Sequence, residues 1–306
     1  MNKAVIVGGA GFIGSYVTEE IINRNKNWDE IIIIDNLSTG KIENIHPKCK
    51  LILADIRNYE EIEKYFIDAT HVWHLAALTQ VQSSIEDPMI YNDVNVSGTL
   101  NVFLASKKHN VKKIIFSSSS SVYGQPTEIP TTENSKLDPL SPYALQKLHC
   151  EQYAKLFCEL YGMNITCLRY FNVYGERSSD KGSYAPVINI WLKQLKEGKK
   201  ITITGDGKQT RDFISVLDVA KANYLAAFFN SYGFEIYNVG SGKEYELNEI
   251  AHWVCENSNE IEYISPRIEP KKSCSDINKI IKMSNYNFSI SHELKDYIQR
   301  KKLFKI

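Results

Sequence analysis

The sequence has no surplus of charge: 36 lysines and arginines stand against 36 aspartates and glutamates, and the net charge is zero. That argues against a broad surface for nucleic-acid phosphates, although a local basic pocket remains open. No apolar run reaches the roughly 18–20 residues that a membrane helix needs. The opening segment, MNKAVIVGGAGFIG, carries one basic residue before its apolar run and then passes into glycines, without a clear cleavage pattern for a signal peptide. Among the six cysteines no C-x-x-C pair occurs, and no Cys/His spacing suits zinc. No metal, nucleic acid or membrane is therefore expected as a partner. Cys49, Cys150, Cys158, Cys167, Cys255 and Cys274 are expected to be reduced thiols, several of them buried, in a cytoplasmic protein. Neither a fixed-period repeat nor a low-complexity linker divides the chain.

What is present is an ordinary globular balance, with 43% hydrophobic and 24% charged residues over 306 positions. Such a chain has room for one large or two modest domains. Short β-branched runs alternate with helical patterns. Ala4–Val7, Ile31–Ile34, Leu51–Leu53, Val72–His74, Lys113–Phe116 and Ile165–Arg169 read as buried strands. Phe12–Asn25, Tyr59–Phe66, Pro88–His109 and Ser141–Tyr161 read as helices, the last with Pro142 in its first turn. Alternating βα units imply a parallel sheet covered on both faces, and the right-handed crossover rule makes that sheet doubly wound, in a Rossmann-like α/β fold. After about residue 172 the alternation becomes irregular. Tyr184–Lys196, Val216–Asn230 and Asn248–Glu256 look helical, Ile201–Thr204 looks like a strand, and Gly205–Gly207 looks like a turn. The expected division is a nucleotide-binding domain over 1–172 with a return segment near 212–240. A smaller mixed α/β substrate lobe is expected over 173–211 and 241–306.

Two constellations carry chemistry. Gly8, Gly11 and Gly14 lie in GGAGFIG, directly after a strand and at the start of a helix. A diphosphate needs free backbone N–H groups there and no side chains in its way. The spacing is G-x-x-G-x-x-G; alone it is also what a tight turn would require. Asp35 ends the second strand, where an acidic residue accepts hydrogen bonds from the adenosine ribose and repels a 2′-phosphate, favouring NAD over NADP. Asp55 follows the third strand, towards the adenine edge. The second constellation is Tyr143 and Lys147, four apart and so on one helix face. A nearby ammonium lowers a phenol pKa and makes tyrosine a usable base. Ser117–Ser121 supplies hydroxyls at the carboxyl end of the fifth strand, where ligands of such sheets bind.

Taken together the motifs resemble those of the extended short-chain dehydrogenase/reductases, specifically the nucleotide-sugar epimerase/dehydratase group. The segments are GGAGFIG at 8–14, DNLSTG at 35–40, ADIR at 54–57, HLAA at 74–77, SSSSSVYG at 117–124 and SPYALQK at 141–147. They continue with LRYFNVYG at 168–175, GDGKQTRDFI at 205–214 and DVA at 218–220, covering nearly the whole chain in the expected order. The resemblance implies Tyr143 as the acid/base, Lys147 as its partner and a holder of the nicotinamide ribose, and Ser119 as the catalytic hydroxyl. It implies NAD contacts from Gly8, Gly11, Phe12, Ile13, Gly14, Asp35, Asn36, Asp55, Ile56, Ala76, Asn95 and Lys147. For a nucleotide-sugar substrate, a UDP-sugar, it implies Asn172, Arg211 and Arg267, the arginines gripping the diphosphate. Members of the group commonly dimerise through a four-helix arrangement, which here draws on Pro88–His109 and Ser141–Tyr161, so a homodimer is expected.

Dehydratases of the group carry Asp-Glu after the catalytic hydroxyl, and its decarboxylases resemble T-S-E-V-Y-G. This chain reads Ser119-Ser120-Ser121-Val122-Tyr123-Gly124, with no carboxylate, which favours simple 4-epimerisation and is closest to the UDP-glucose and UDP-N-acetylglucosamine 4-epimerases. A nucleotide-sugar oxidoreductase or lyase, and a silent NAD-binding regulator, stay as alternatives. Where relatives read R-x-G-D, this chain reads Arg267-Ile268-Glu269-Pro270, one residue shorter before Ser273-Cys274-Ser275-Asp276, so Glu269 takes the place of the aspartate that touches the nucleotide ribose. A residue just before that A-D-like element borders the sugar's C2 substituent in the resembling epimerases. Alignment places Ser273 or Cys274 there, and both are small. An N-acetylated sugar is therefore expected to fit.

Overall fold

Successive residues of a strand point to opposite faces, so a run of β-branched residues buried throughout needs cover on both sides. The computed structural model describes residues 2–24, 27–178, 187–229, 232–255, 257–266, 269–285 and 287–303. Its strands are β1 (Lys3–Val7), β2 (Glu30–Asp35), β3 (Lys50–Leu53), β4 (Ala69–His74), β5 (Lys113–Ser119), β6 (Ile165–Tyr170), β7 (Asn172–Tyr174), β8 (Ile201–Thr204), β9 (Thr210–Arg211), β10 (Phe213–Ser215), β11 (Phe234–Val239), β12 (Tyr245–Glu246) and β13 (Ile261–Ile264). Seven of them make one sheet in the order β3-β2-β1-β4-β5-β6-β11, every pairing parallel. Val5, Val7, Ile32 and Ile34 face one core, and Ala4, Ile6, Ile31 and Ile33 face the other. Burying one such aliphatic side chain is worth roughly 1.5–3 kcal/mol, so the two cores together fix which face each strand turns to which side.

The helices are α1 (Phe12–Arg24), α2 (Tyr59–Ile62), α3 (Val81–Glu86), α4 (Pro88–Asn92), α5 (Gly98–Lys108), α6 (Pro142–Tyr161), α7 (Val187–Lys196), α8 (Val216–Phe228), α9 (Leu247–Val254), α10 (Asn278–Met283) and α11 (Leu294–Leu303). Val102 and Phe103 of α5 and Ala154 and Phe157 of α6 fill the first core. Val17 and Ile21 of α1 and Val219 and Leu225 of α8 fill the second. The doubly wound architecture is thus as expected. Beyond the sheet lie three small ladders, β7 with β10, β8 with β13 and β9 with β12. A separate core of Ile188, Trp191, Ile201, Ile203, Leu247, Ile250 and Ile298 supports them.

Three local expectations are corrected. The helix read over 88–109 is interrupted by a wide π-type turn at Asp93–Ser97, where the Gly98 N–H reaches the Asp93 carbonyl and the Asn95 side chain is drawn into other bonds. The helix read over Tyr59–Phe66 tightens to 3₁₀ from Glu63. Ile280 and Phe288, in the stretch assigned to the substrate lobe, pack into the second core of the main sheet. The expected helix ends at Asn25, Asn230 and Glu256, and residues 184–186, lie outside the described residues.

Candidate active site

The glycine loop is shaped by backbone. At Gly8, φ is +84°, and a Cβ added there would come within 2.5 Å of the Ala76 nitrogen. On Gly14 a Cβ would sit 2.1 Å from the Gly8 carbonyl oxygen. Neither position accepts a side chain without moving the loop. The first-turn N–H groups of α1, at Phe12, Ile13 and Gly14, have no acceptor within the helix and form an anion-binding end. Asp35, buried at the end of β2, accepts from Ala10 N at 3.0 Å and Leu37 N at 2.8 Å. Burial raises its pKa, and these two bonds oppose the rise. Asp55 accepts from Asn36 Nδ2 at 2.9 Å and from the Arg57 guanidinium, which with its other bonds brings its pKa to about 2. Gly8, Gly11, Asp35, Asn36, Asp55, Ile56 and Ala76 line one open cleft. A side-chain-free loop, a helix N-terminus and an acidic strand end fit a dinucleotide diphosphate with its adenosine ribose.

A second set of groups meets where β5 ends and α6 begins. Ser141 caps α6 by accepting from Ala144 N at 3.2 Å, and Pro142 sits in the first turn. Tyr143 is buried, its backbone N–H donates to Ser84 Oγ at 3.2 Å, and the Ser119 side chain lies near enough to its phenol to pull the phenol pKa down. Ser119 Oγ in turn accepts from Ser121 Oγ at 2.9 Å. Lys147 donates to the Ser117 carbonyl at 2.7 Å and lies 4.9 Å from the Phe116 ring. Asn95 accepts from Leu78 N at 2.8 Å and donates to Gln146 Oε1 at 3.0 Å, tying the wall after β4 to α6. Its side chain therefore braces the cleft. The expected lowering of the Tyr143 pKa is corrected: burial pushes it up to about 12, and the Ser119 hydrogen bond only partly offsets that. Lys147 is itself brought down to about 8 by burial.

On the substrate side, Asn172 Nδ2 donates to the Asp212 carbonyl at 2.9 Å. Arg211 does not present a free guanidinium: Nη2 pairs with Glu269 Oε2 at 2.6 Å, and Nη1 donates to the Thr210 carbonyl. Glu269 also accepts from Thr204 Oγ1 at 3.1 Å. Cys274 is buried with its carbonyl accepting from Thr131 N at 2.8 Å, and Ser273 is half-buried beside it. Neither lines the dinucleotide cleft. Arg267 lies outside the described residues. The sequence reading names neither Ser84 nor Asp212, and gives Ser121 no role apart from the serine run. Asp212 is fully buried, and its carboxylate accepts from the N–H and hydroxyl of both Ser241 and Ser275 and from Gly242 N. Its position beside Arg211 in the RDF run was the available signal.

A sequence model of the NAD dependent epimerase/dehydratase family matches residues 4–240. A Methanocaldococcus jannaschii protein, provisionally named a UDP-glucose 4-epimerase, is 45% identical over 248 residues, which is 80% of this chain and 79% of that one. The structure of a UDP-N-acetylglucosamine 4-epimerase from Methanobrevibacter ruminantium, in complex with UDP-N-acetylmuramic acid, superposes with a TM-score of 0.90 at 36% identity, covering 99% of both chains. A UDP-glucose 4-epimerase from Thermotoga maritima with UDP-glucose gives 0.90 at 33% identity, over 99% of this chain and 100% of that one. With a match this long and relatives this similar, the chain belongs to the NAD-dependent epimerase/dehydratase family of enzymes.

Proposed function

We propose that the protein interconverts UDP-hexoses epimeric at C4 through a transient 4-keto sugar. The observation that carries this reading is the buried Tyr143 phenol on α6 beside Ser119 at the end of β5, with Lys147 of the same helix tied to the Ser117 carbonyl and no carboxylate at 119–121. Bound NAD would supply a reversible hydride acceptor for C4. Tyr143 takes the proton of the C4 hydroxyl and returns it after the sugar has turned over. With its pKa near 12 in the ligand-free protein, Tyr143 is a poor base, so positive charge brought beside it is what lowers the cost of ionisation. Lys147 holds the nicotinamide ribose; its ammonium donates to the Ser117 carbonyl in the ligand-free protein and has to turn towards the phenol to supply such a charge. Ser121, donating to Ser119 Oγ, keeps the Ser119 proton directed towards the phenol. Gly8, Gly11, Phe12, Ile13 and Gly14 hold the dinucleotide diphosphate, Asp35 its adenosine ribose, and Asn36, Asp55 and Ile56 its adenine side.

Arg211 grips the sugar-nucleotide diphosphate, with Asn172 beside it, and must exchange Glu269 for phosphate oxygens as substrate enters. Small residues at Ser273 and Cys274 favour the acetamido pair UDP-N-acetylglucosamine and UDP-N-acetylgalactosamine, with the plain hexoses also accepted. Leu145, Tyr153, Leu156 and Leu160 form an exposed stripe at helical spacing on α6, and Leu104 is exposed on α5; they support pairing with a second copy. Six unpaired cysteines suit a cytoplasmic setting. The test is incubation with UDP-, dTDP- and GDP-sugars without added reductant, products followed by NMR and mass spectrometry. Reversible formation of a C4 epimer supports the reading. Loss of water or carbon dioxide would favour the lyase alternative, stoichiometric use of NAD(P)H the reductase, and no turnover the silent binder.

A further inference from the structure

Helix α6 carries a buried charge that the proton chemistry leaves unused. Glu151 lies four residues beyond Lys147 and eight beyond Tyr143, on the same face of the helix. It is 2% exposed. Its Oε1 accepts from Ser118 Oγ at 2.5 Å and from Arg169 Nε at 2.9 Å, and its Oε2 from Arg169 Nη2 at 2.6 Å. Arg169, 1% exposed, sits on β6 opposite Ser118 in the β5–β6 register. Its Nη1 donates to the Tyr123 hydroxyl at 2.9 Å, and Tyr123 donates to Asn238 Oδ1 at 2.6 Å. One network thus joins α6, β5, β6, the turn after β5 and β11.

Stability does not explain this arrangement. A buried ion pair roughly breaks even against the cost of desolvating two charges, and apolar residues of similar volume often hold a core as well or better. What apolar packing lacks is directionality. A two-pronged guanidinium–carboxylate contact has one geometry, whereas apolar faces can slide. The serine bonded to Glu151 is the immediate neighbour of Ser119, so the strand carrying Ser119 and the helix carrying Tyr143 are referenced to the same carboxylate.

We propose that Glu151 and Arg169 are positioning residues for the epimerisation, setting the rotation and register of α6 against β5 so that the Tyr143 phenol meets the Ser119 hydroxyl. The proposal rests on the catalytic role given above to Tyr143. The test compares wild type, the paired apolar variant E151L/R169M and the single variant R169K, measuring melting temperature, NAD affinity, kcat, KM and the pH dependence of kcat. The paired variant is expected to melt near wild type and bind NAD normally, with KM changed only a few-fold. Its kcat should fall on the order of 10²-fold, as a misplacement near 1 Å does. The ascending, acid-side limb of its pH profile should move to higher pH, because the Ser119 interaction that pulls the pKa of the phenol base down is weakened. R169K keeps the charge but loses the fork, and should show the same split even if the paired variant does not fold. Wild-type kcat and an unshifted pH profile in a folded variant would overturn the proposal. Tyr143→Phe, run in parallel, separates the two layers. If it keeps turnover, the underlying reading fails; if it is inactive while the pair variants are fully active, only the positioning claim fails.

Discussion

The dinucleotide side and the substrate side of the cleft are built by different means. The first sits at the strand ends of one seven-stranded sheet, and its shape is fixed by backbone against backbone, as at Gly8 against Ala76 and Gly14 against Gly8. The second rests on ladders of two to four residues and on a buried carboxylate, Asp212, which gathers the segments around Ser241 and Ser275. On the sheet side the first N–H groups of α1 have no acceptor within the helix, although Asp35 and Asp55 already accept from neighbouring protein groups. On the other side Arg211 is already engaged by Glu269. If Arg211 holds substrate phosphate as proposed, it has to give up Glu269 first, whereas the glycine loop needs no such exchange to meet the proposed cofactor.

The largest expected effect lies between the two sides. Tyr143→Phe should reduce turnover by about 10²–10⁴-fold, the usual worth of general acid–base catalysis, while melting temperature and NAD affinity stay near wild type. Near-wild-type turnover would remove Tyr143 from the chemistry. The next pair of lesions sharpens the contrast directly. Gly14→Ala forces a Cβ to 2.1 Å from the Gly8 carbonyl and should weaken NAD binding. Asp212→Asn loses a charged acceptor for buried donors, worth about 1.5–3 kcal/mol per bond, and should raise KM for the UDP-sugar with NAD affinity unchanged. Titration calorimetry with NAD, beside steady-state kinetics, distinguishes them; equal effects of both variants on both ligands would erase the contrast.

Legibility in the sequence follows the same division. The sheet could be read because its strands are continuous β-branched runs and its glycine loop is local, so a few neighbouring residues declare the fold and the cofactor class. The π-turn at Asp93–Ser97 was hidden because Asn95 is held by Leu78 and Gln146, the latter 51 residues away. The Arg211–Glu269 pair and the Asp212–Ser275 bonds span 58 and 63 residues, and no local pattern announces them. The Tyr143 pKa was misjudged for a related reason: sequence spacing shows a lysine nearby, but only packing shows how fully the phenol is buried.

Smaller effects refine each side. Asp35 should make binding favour NAD over NADP, since a 2′-phosphate would meet a like charge there; equal affinities in a fluorescence titration would contradict this. Ser273→Tyr or Cys274→Tyr should selectively exclude the acetamido sugars, as overpacking a filled site costs about 1–3 kcal/mol. If neither changes the ratio of kcat/KM for UDP-N-acetylglucosamine to that for UDP-glucose, those residues do not border the sugar.

The remaining effect is on stability rather than on activity, and is small near neutral pH. Burial holds His71 down to about 4 and His74 to about 3, from an ordinary 6.5. Below pH 6.5 the unfolded chain therefore takes up protons that the folded one refuses, and stability falls as pH drops through 6.5 towards 3. Urea midpoints should decline over that window, and less steeply in His74→Gln; an unchanged slope would show that His74 does not contribute.

The most direct measurement is turnover of UDP-N-acetylglucosamine and UDP-glucose in deuterium oxide, with bound NAD and no added reductant. The account predicts the C4 epimer of each, with the hydrogen on C4 retained, because it leaves as hydride and returns within one closed site. Products lighter by water or carbon dioxide, or deuterium at C4, would contradict it.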